Sequence, residues 1–243
     1  MEYKNLYYPE SRFGTFTDVD GTIAFYLRVN GLVDSESVVL DVGCGRGAYG
    51  EDPTLVRRDL RILKGKVKKV IGIDIDESGE KNPCLDVFNL ITEQNVWPLQ
   101  DSSVDLCLCD NVLEHVETPE AFFSECQRVI KQGGYLCIRT TNLLGYVGIL
   151  SKLVPSKLSA RVLGRVQDKR SEEDIAPTLY RCNTIRKVRS MLQEHGFYHC
   201  VYGYEAEPSY LSFSRLSYFL GVMHQRFAPR SIRVAIFAFG RKN

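Results

Sequence analysis

Short runs of continuous apolar residues alternate along this chain with stretches whose apolar residues recur at helical spacing. The runs are residues 37–42, 67–76, 85–90, 103–109 and 135–140. Each is bounded by charged residues or glycine, the signature of a strand buried on both faces of a parallel sheet. Between them, residues 53–63 and 120–130 read as helices. The second carries Phe122, Phe123, Cys126, Val129 and Ile130 on one side, and Lys131-Gln132-Gly133-Gly134 ends it with a basic last turn and a glycine stop. Ahead of the first run, Ile23, Phe25, Tyr26, Leu27, Val29 and Leu32 predict an amphipathic helix over 19–32 that closes at Gly31. Residues 184–195 predict a later helix with Thr184 as N-cap and Gly196 as its stop, and 198–204 and 233–239 two late strands. Such alternation predicts an α/β chain with a doubly wound sheet.

Two segments fit no element of that sheet, about 143–180 and 205–230. The first holds Leu143, Leu144, Tyr146, Val147, Ile149, Leu150, Leu153 and Val154, then Lys157, Arg161, Arg165, Lys169 and Arg170, then Glu172-Glu173-Asp174. The second is aromatic-rich, with Tyr210, Phe213, Tyr218, Phe219 and Phe227. The domain reading is a leader or cap over 1–36 and one catalytic domain over 37–243 carrying these two insertions, where substrate specificity is expected.

Composition changes this picture little. The 243 residues are 44% hydrophobic and 25% charged, with a formal net charge of +1. That is ordinary globular composition. Near-neutral charge without an extended basic stripe argues against a nucleic-acid partner, and any basic surface must be local. No apolar stretch is long enough to span a bilayer, and the first ten residues lack a secretory pattern. Eight cysteines in that context read as reduced thiols of a cytoplasmic protein. Cys107 and Cys109 alternate on one face of a strand. The other six are scattered singly, without the clustered spacing of a metal site.

Candidate chemistry begins where the first apolar run ends, at Asp41-Val42-Gly43-Cys44-Gly45-Arg46-Gly47. Glycines there let the backbone turn sharply and approach a ligand, and a following helix would offer free N–H groups. The spacing is G-x-G-x-G, and Ala48 breaks the dinucleotide fingerprint G-x-G-x-x-G. Asp74 ends the second run in Ile71-Gly72-Ile73-Asp74-Ile75-Asp76, where a carboxylate can accept two hydrogen bonds from a vicinal diol. A solvated strand-end Asp is the plainer reading. Cys84-Leu85-Asp86-Val87 opens the third run, and Cys109-Asp110-Asn111-Val112-Leu113-Glu114-His115-Val116 closes the fourth.

These landmarks, in this order, resemble the class I S-adenosylmethionine-dependent methyltransferases, in their type 11-like branch. The resemblance covers residues 37–142 well and 184–240 loosely. It implies a Rossmann-like, seven-stranded, mostly parallel sheet with a late antiparallel strand, plus helical insertions, and S-adenosylmethionine as cofactor. It further implies that Asp41, Gly43, Cys44, Gly45 and Gly47 meet the amino-acid end of the cofactor. Asp74 and Ile75 would meet the ribose, Asp86 and Val87 the adenine, and Asp110 and Asn111 the methionine end. The 122–140 stretch is similar to the family's F-x-E-x-x-R-V-L-K-P-G-G-x-L-x-I, with Gln132 where proline is usual. The gap from Gly47 to Asp74 is longer than usual, which an insertion around 50–57 explains. Some relatives hold a divalent ion with E-x-x-E-H; here the first position is Asn111 and no later histidine pairs with it, so no metal is expected.

His115 has two readings, a general base for a hydroxyl or amine acceptor and a hydrogen-bonding structural residue. Glu114 stands equally as a helix-surface carboxylate. Arg12, Phe13 and Tyr26 belong to a leader expected over the cofactor, and Tyr180, Arg181 and Asn183 lie where acceptor contacts are expected. The expected reaction is in-line methyl transfer to a small or lipid-linked amphipathic acceptor. The competing functions are a cofactor-binding module without transfer and a nicotinamide-dependent oxidoreductase. The insertions 143–170 and 209–227 form either extra helices or an apolar, basic-flanked lid in peripheral contact with a membrane. The acceptor atom and the oligomeric state are not encoded in any pattern here.

Overall fold

In a computed structural model, which describes residues 2–93, 96–153 and 178–243, the five apolar runs and the two late segments become seven strands. They are β1 (Val38–Val42), β2 (Lys69–Asp74), β3 (Val87–Leu90), β4 (Val104–Asp110), β5 (Ile130–Thr141), β6 (Phe197–Tyr204) and β7 (Ala235–Lys242). They form one sheet in the order β3-β2-β1-β4-β5-β7-β6. β7 runs antiparallel to both neighbours and the other pairings are parallel. Strand order reverses between β1 and β4, the switch point beyond whose strand carboxyl ends open α/β sheets hold their ligands.

The described helices are α1 (Glu2–Tyr7), α2 (Gly21–Asn30), α3 (Leu55–Arg61), α4 (Pro119–Val129), α5 (Tyr146–Leu153), α6 (Ile185–Glu194) and α7 (Arg215–Phe227). One face of the sheet packs on Phe122, Phe123 and Val129 of α4 and Val188, Met191 and Leu192 of α6. The other packs on Phe25, Tyr26 and Val29 of α2. Period-two alternation sorts β4 between them: Cys107 and Cys109 join the first core, Leu106 and Leu108 the second. A third cluster of Tyr8, Tyr218 and Val222 ties the N-terminal segment to α7. Helix starts follow their caps. The Asp20 carboxylate accepts from the N–H groups of Thr22 and Ile23, and Thr184 Oγ1 from that of Lys187.

The helix read at 53–63 is observed as α3, and the differences from the sequence reading lie elsewhere. α4 ends at Val129, and β5 starts at Ile130, five residues early, because Ile130 pairs with Val104 before the register breaks ahead of Leu106 and Tyr135. Gly133, at φ +77°, sits within that irregular stretch rather than ending a helix. Between the glycine loop and α3, which falls within the expected 53–63, a 3₁₀ turn at Ala48–Glu51 intervenes. The unassigned segments also contain regular structure, in α5 and α7. Lys157, Arg161, Arg165, Lys169, Arg170 and Glu172-Glu173-Asp174 lie outside the described residues. Among the described residues no helix is long and apolar enough to cross a membrane. All eight cysteines are free, and only Cys200 is exposed.

Candidate functional site

The loop leaving β1 is shaped by three left-handed glycines, Gly43, Gly45 and Gly47, at φ +64°, +49° and +76°. A side chain at Gly43 would strike Val112, and one at Gly47 would strike Asn82, so both positions are closed. At Gly45 a Cβ would project into open space, which leaves a cradle floored by bare backbone. The Gly45 N–H donates to Asp74 Oδ2 at 2.9 Å, and Asp74 Oδ1 accepts from the Asp76 N–H at 3.1 Å. Asp74 therefore stands at the rim with lone pairs to spare, beside Ile75, whose side chain is 77% exposed. Cys44 contributes backbone: its thiol is buried against Gly72, and burial raises its pKa, so it is no nucleophile.

Asn82 braces this loop from the β2–β3 connection. Its amide donates to the carbonyls of Cys44 and Gly45 at 3.0 and 3.1 Å, and its Oδ1 accepts from the Cys84 N–H at 2.9 Å. No pattern in the sequence singles it out.

Beneath the loop, β1, β4 and β5 bring Asp41, Asp110 and Arg139 to one edge. Register pairs Asp110 with Arg139, and the guanidinium holds both carboxylate oxygens at 2.6 and 2.7 Å. Tyr26 donates to Asp110 at 2.9 Å, and Arg61 lies 3.6 Å away. Arg139 and Arg61 hold the Asp110 carboxyl below its ordinary range despite burial. Asp41 is treated differently. The Tyr49 hydroxyl reaches it only at a long 3.5 Å, and burial with the nearby Asp110 charge pushes its pKa up to about 7. A buried carboxylate so short of partners suits an incoming cation.

Several expected residues sit elsewhere. Asp86 and Val87 are not at the ligand end. Asp86 Oδ2 accepts from the Val70 N–H at 2.8 Å and Val87 pairs with Ile71, so both belong to the opposite edge of the sheet from Asp74. A parallel strand binds ligand where it ends, and β3 ends at Leu90, paired with Asp74; the Ile91 N–H donates to the Asp74 carbonyl at 2.7 Å. Asp110 reaches the right edge, but its carboxylate turns under into the Arg139 pair rather than standing at the rim. Asn111, exposed at φ +58°, occupies the rim. Tyr26 is likewise buried below, and Phe13 is exposed.

Glu114 is not a surface carboxylate. It is buried, accepts from Thr140 Oγ1 at 2.6 Å, and burial raises its pKa. Its carbonyl takes the N–H groups of Leu179 and Tyr180, and Asn183 donates to Thr140 Oγ1 and the Thr141 carbonyl. Asn183 thus fastens the 179–183 segment to β5 and is itself buried. His115 is half-buried on the 3₁₀ turn Leu113–His115 that follows β4. Among the described residues no group of three or more His, Cys, Asp or Glu is arranged to hold a metal.

Residues 40–138 match the family model described as "Methyltransferase domain". A "probable S-adenosylmethionine-dependent methyltransferase" of Mycolicibacterium smegmatis is 32% identical over 113 residues, 44% of this chain and 39% of that protein. A ubiquinone biosynthesis O-methyltransferase of Nitrosomonas europaea is 29% identical over 140 residues, 55% of this chain and 56% of that one. The matching stretch thus spans little more than half the length of such curated relatives at most. Among solved structures, a SAM-dependent methyltransferase of Thermotoga maritima has a TM-score of 0.56 at 16% identity, covering 100% of this chain and 97% of its own. At that identity the likeness concerns the fold.

Proposed function

We propose, from the chain's membership of the class I S-adenosylmethionine-dependent methyltransferases, that it methylates a hydroxyl oxygen of a small or lipid-linked acceptor. One observation carries the reading: the open Gly45 cradle, the rim carboxylate of Asp74 and the under-partnered Asp41 meet at the ligand edge of the sheet. These groups fit the cofactor. The Gly43–Gly47 backbone and Asp41 would receive its amino-acid end, and Asp74 its ribose diol. Leu90 and Ile91, rather than Asp86, would border the adenine. When bound, S-adenosylmethionine supplies an electrophilic sulfonium methyl.

The chain's own work is then alignment and exclusion of water, which can lower such a barrier by many kcal/mol without a strong base. We assign the acceptor's proton to His115, on the support of its residue type and its place just beyond β4. An oxygen acceptor draws support from the O-methyltransferases among the relatives. The test is incubation with radiolabelled methyl donor and fractionated extract, followed by mild alkali and acid, under which a methyl ether keeps its label and a methyl ester loses it. Label in an organic-soluble or small polar fraction, as an ether, is expected. Calorimetry with S-adenosylhomocysteine runs in parallel, and Asp74→Ala should weaken binding at least about 100-fold, as losing a charge-assisted bidentate contact implies. Tight binding with no label in any fraction would favour a cofactor-binding module. Normal binding by Asp74→Ala would overturn the ribose assignment.

A further inference from the structure

α7 is amphipathic in an unusual sense, because its solvent side is the apolar one. Its inner side is partnered: Tyr218 and Val222 are buried, the Tyr218 ring lies 6.1 and 5.8 Å from those of Tyr3 and Tyr7, and Gly221 abuts Pro208. The outer side presents Leu216 at 67% exposure, Phe219 at 40%, Leu220 at 57% and Phe227 at 76%. Spacings of three, four and eleven residues place these four on one stripe. Phe213 just before the helix and Leu6 on α1 are exposed as well. Tyr7, Arg215, Leu216 and Phe219 together line a shallow depression at the α1–α7 seam.

Charge borders this stripe on one side. Arg215 and Arg226, about three helical turns apart, share nearly one azimuth, and both are exposed. Residues 208–240 contain no Asp or Glu against four Arg, within a chain of net charge +1. The near-neutral whole therefore conceals a cationic stretch around α7. α7 also stands on the ligand side of the molecule: it follows β6, whose carboxyl end lies at the same sheet edge as those of β1 and β5, and its His224 packs against Tyr146 of α5 at 5.3 Å.

We infer that the outer stripe of α7, with Arg215 and Arg226 along its border, docks this protein on the surface of a bilayer rich in anionic lipid. Apolar side chains enter the acyl boundary while the guanidinium groups remain among the phosphates, the arrangement of an interfacial helix. A second copy of the chain is the poorer occupant. A two-fold interface sets the same patch against itself and brings arginine toward arginine, while the nearby Glu207 is already engaged by the Tyr218 hydroxyl at 2.6 Å.

The test is flotation of the full chain with vesicles of phosphatidylcholine alone or with about one-third phosphatidylglycerol, a content that gives a strongly negative surface. The cofactor is omitted, so the outcome is independent of the methyl-transfer reading. Association with the anionic vesicles only, lost at high salt, is expected. Arg215→Ala with Arg226→Ala should reduce partitioning by roughly tenfold or more, since each basic residue near such a surface contributes severalfold. Leu216→Ser with Leu220→Ser, at exposed positions, should abolish it while the far-ultraviolet circular dichroism and melting temperature are retained. No flotation on anionic vesicles at low salt would overturn the inference. So would a homodimer in light scattering that the leucine pair dissociates.

Discussion

Asp41 and Asp74 are both strand-end aspartates near the glycine loop, yet their surroundings give them different tasks. Asp74 is rimmed by N–H donors, from Gly45 and Asp76. Asp41 is buried near the ionised Asp110, and its pKa rises to about 7. A raised folded-state pKa means that the folded chain holds a proton the unfolded chain has released. The stabilisation from that proton is complete below about pH 4, the ordinary carboxylate value, and is lost as pH rises through about 7. Asp41→Asn, neutral at every pH, should therefore raise the melting temperature of the cofactor-free protein at pH 8 by a few degrees and change it little at pH 5. Binding should respond in the opposite sense. A cationic ligand favours ionised Asp41, so the wild-type affinity for S-adenosylhomocysteine should fall by up to about tenfold per pH unit below 7, while the Asn variant binds weakly with no such slope. Calorimetry between pH 5.5 and 8 reads both; a flat wild-type profile would remove Asp41 from ammonium recognition.

Among the elements, the β1 loop depends on the β2–β3 connection, because Asn82 is the side chain that ties the two. Asn82→Ala removes two bonds to loop carbonyls and one from the Cys84 N–H, and leaves a gap where Gly47 now closes on it. With each net hydrogen bond worth about 1 kcal/mol, the variant should lose about 2–3 kcal/mol of stability. Its cofactor affinity should fall although Asn82 itself lies behind the loop. Urea melts and calorimetry on one preparation separate the two effects, and undiminished affinity would mean that the loop holds its shape unaided. The two glycines at 133 and 134 show the complementary point. They read as a helix stop, but the pairing of Ile130 with Val104 draws the backbone into β5 first. Local propensity lost there to a strand pairing that no nearby residue encodes.

On the scale of the whole molecule, the Asp110–Arg139 pair joins β4 and β5 to α2 through Tyr26 and Thr22, and to α3 through Arg61. Asp110→Ala would strand a buried guanidinium, and such changes cost about 3–5 kcal/mol. Thermal unfolding should show that loss, and a drop below about 1 kcal/mol would mean that water or Tyr26 replaces the partner. The Asp110 pKa is lowered, so its contribution has the sign opposite to that of Asp41. It is present above the ordinary Asp value and lost as pH falls through the lowered one.

Local patterns determined much of this protein. Continuous apolar runs announced the first five strands, since a strand covered on both faces can expose little that is polar. The spacing of Gly43, Gly45 and Gly47, with Asp74 ending the next strand, marked the turn at the carboxyl ends of β1 and β2, since backbone turns and strand ends are local features. The partnership of Arg139 with Asp110 was not legible, because the two meet only through the register of β4 with β5. Asp86 could not be assigned to an end of the sheet by order along the chain alone: the start and the finish of a short strand look alike until a neighbour pairs with it. Tertiary structure alone decided that Glu114 is buried, that Asn82 braces the loop, and that the apolar side of α7 faces outward. Each depends on what packs across from the residue, and a single chain read in order contains no record of that distance.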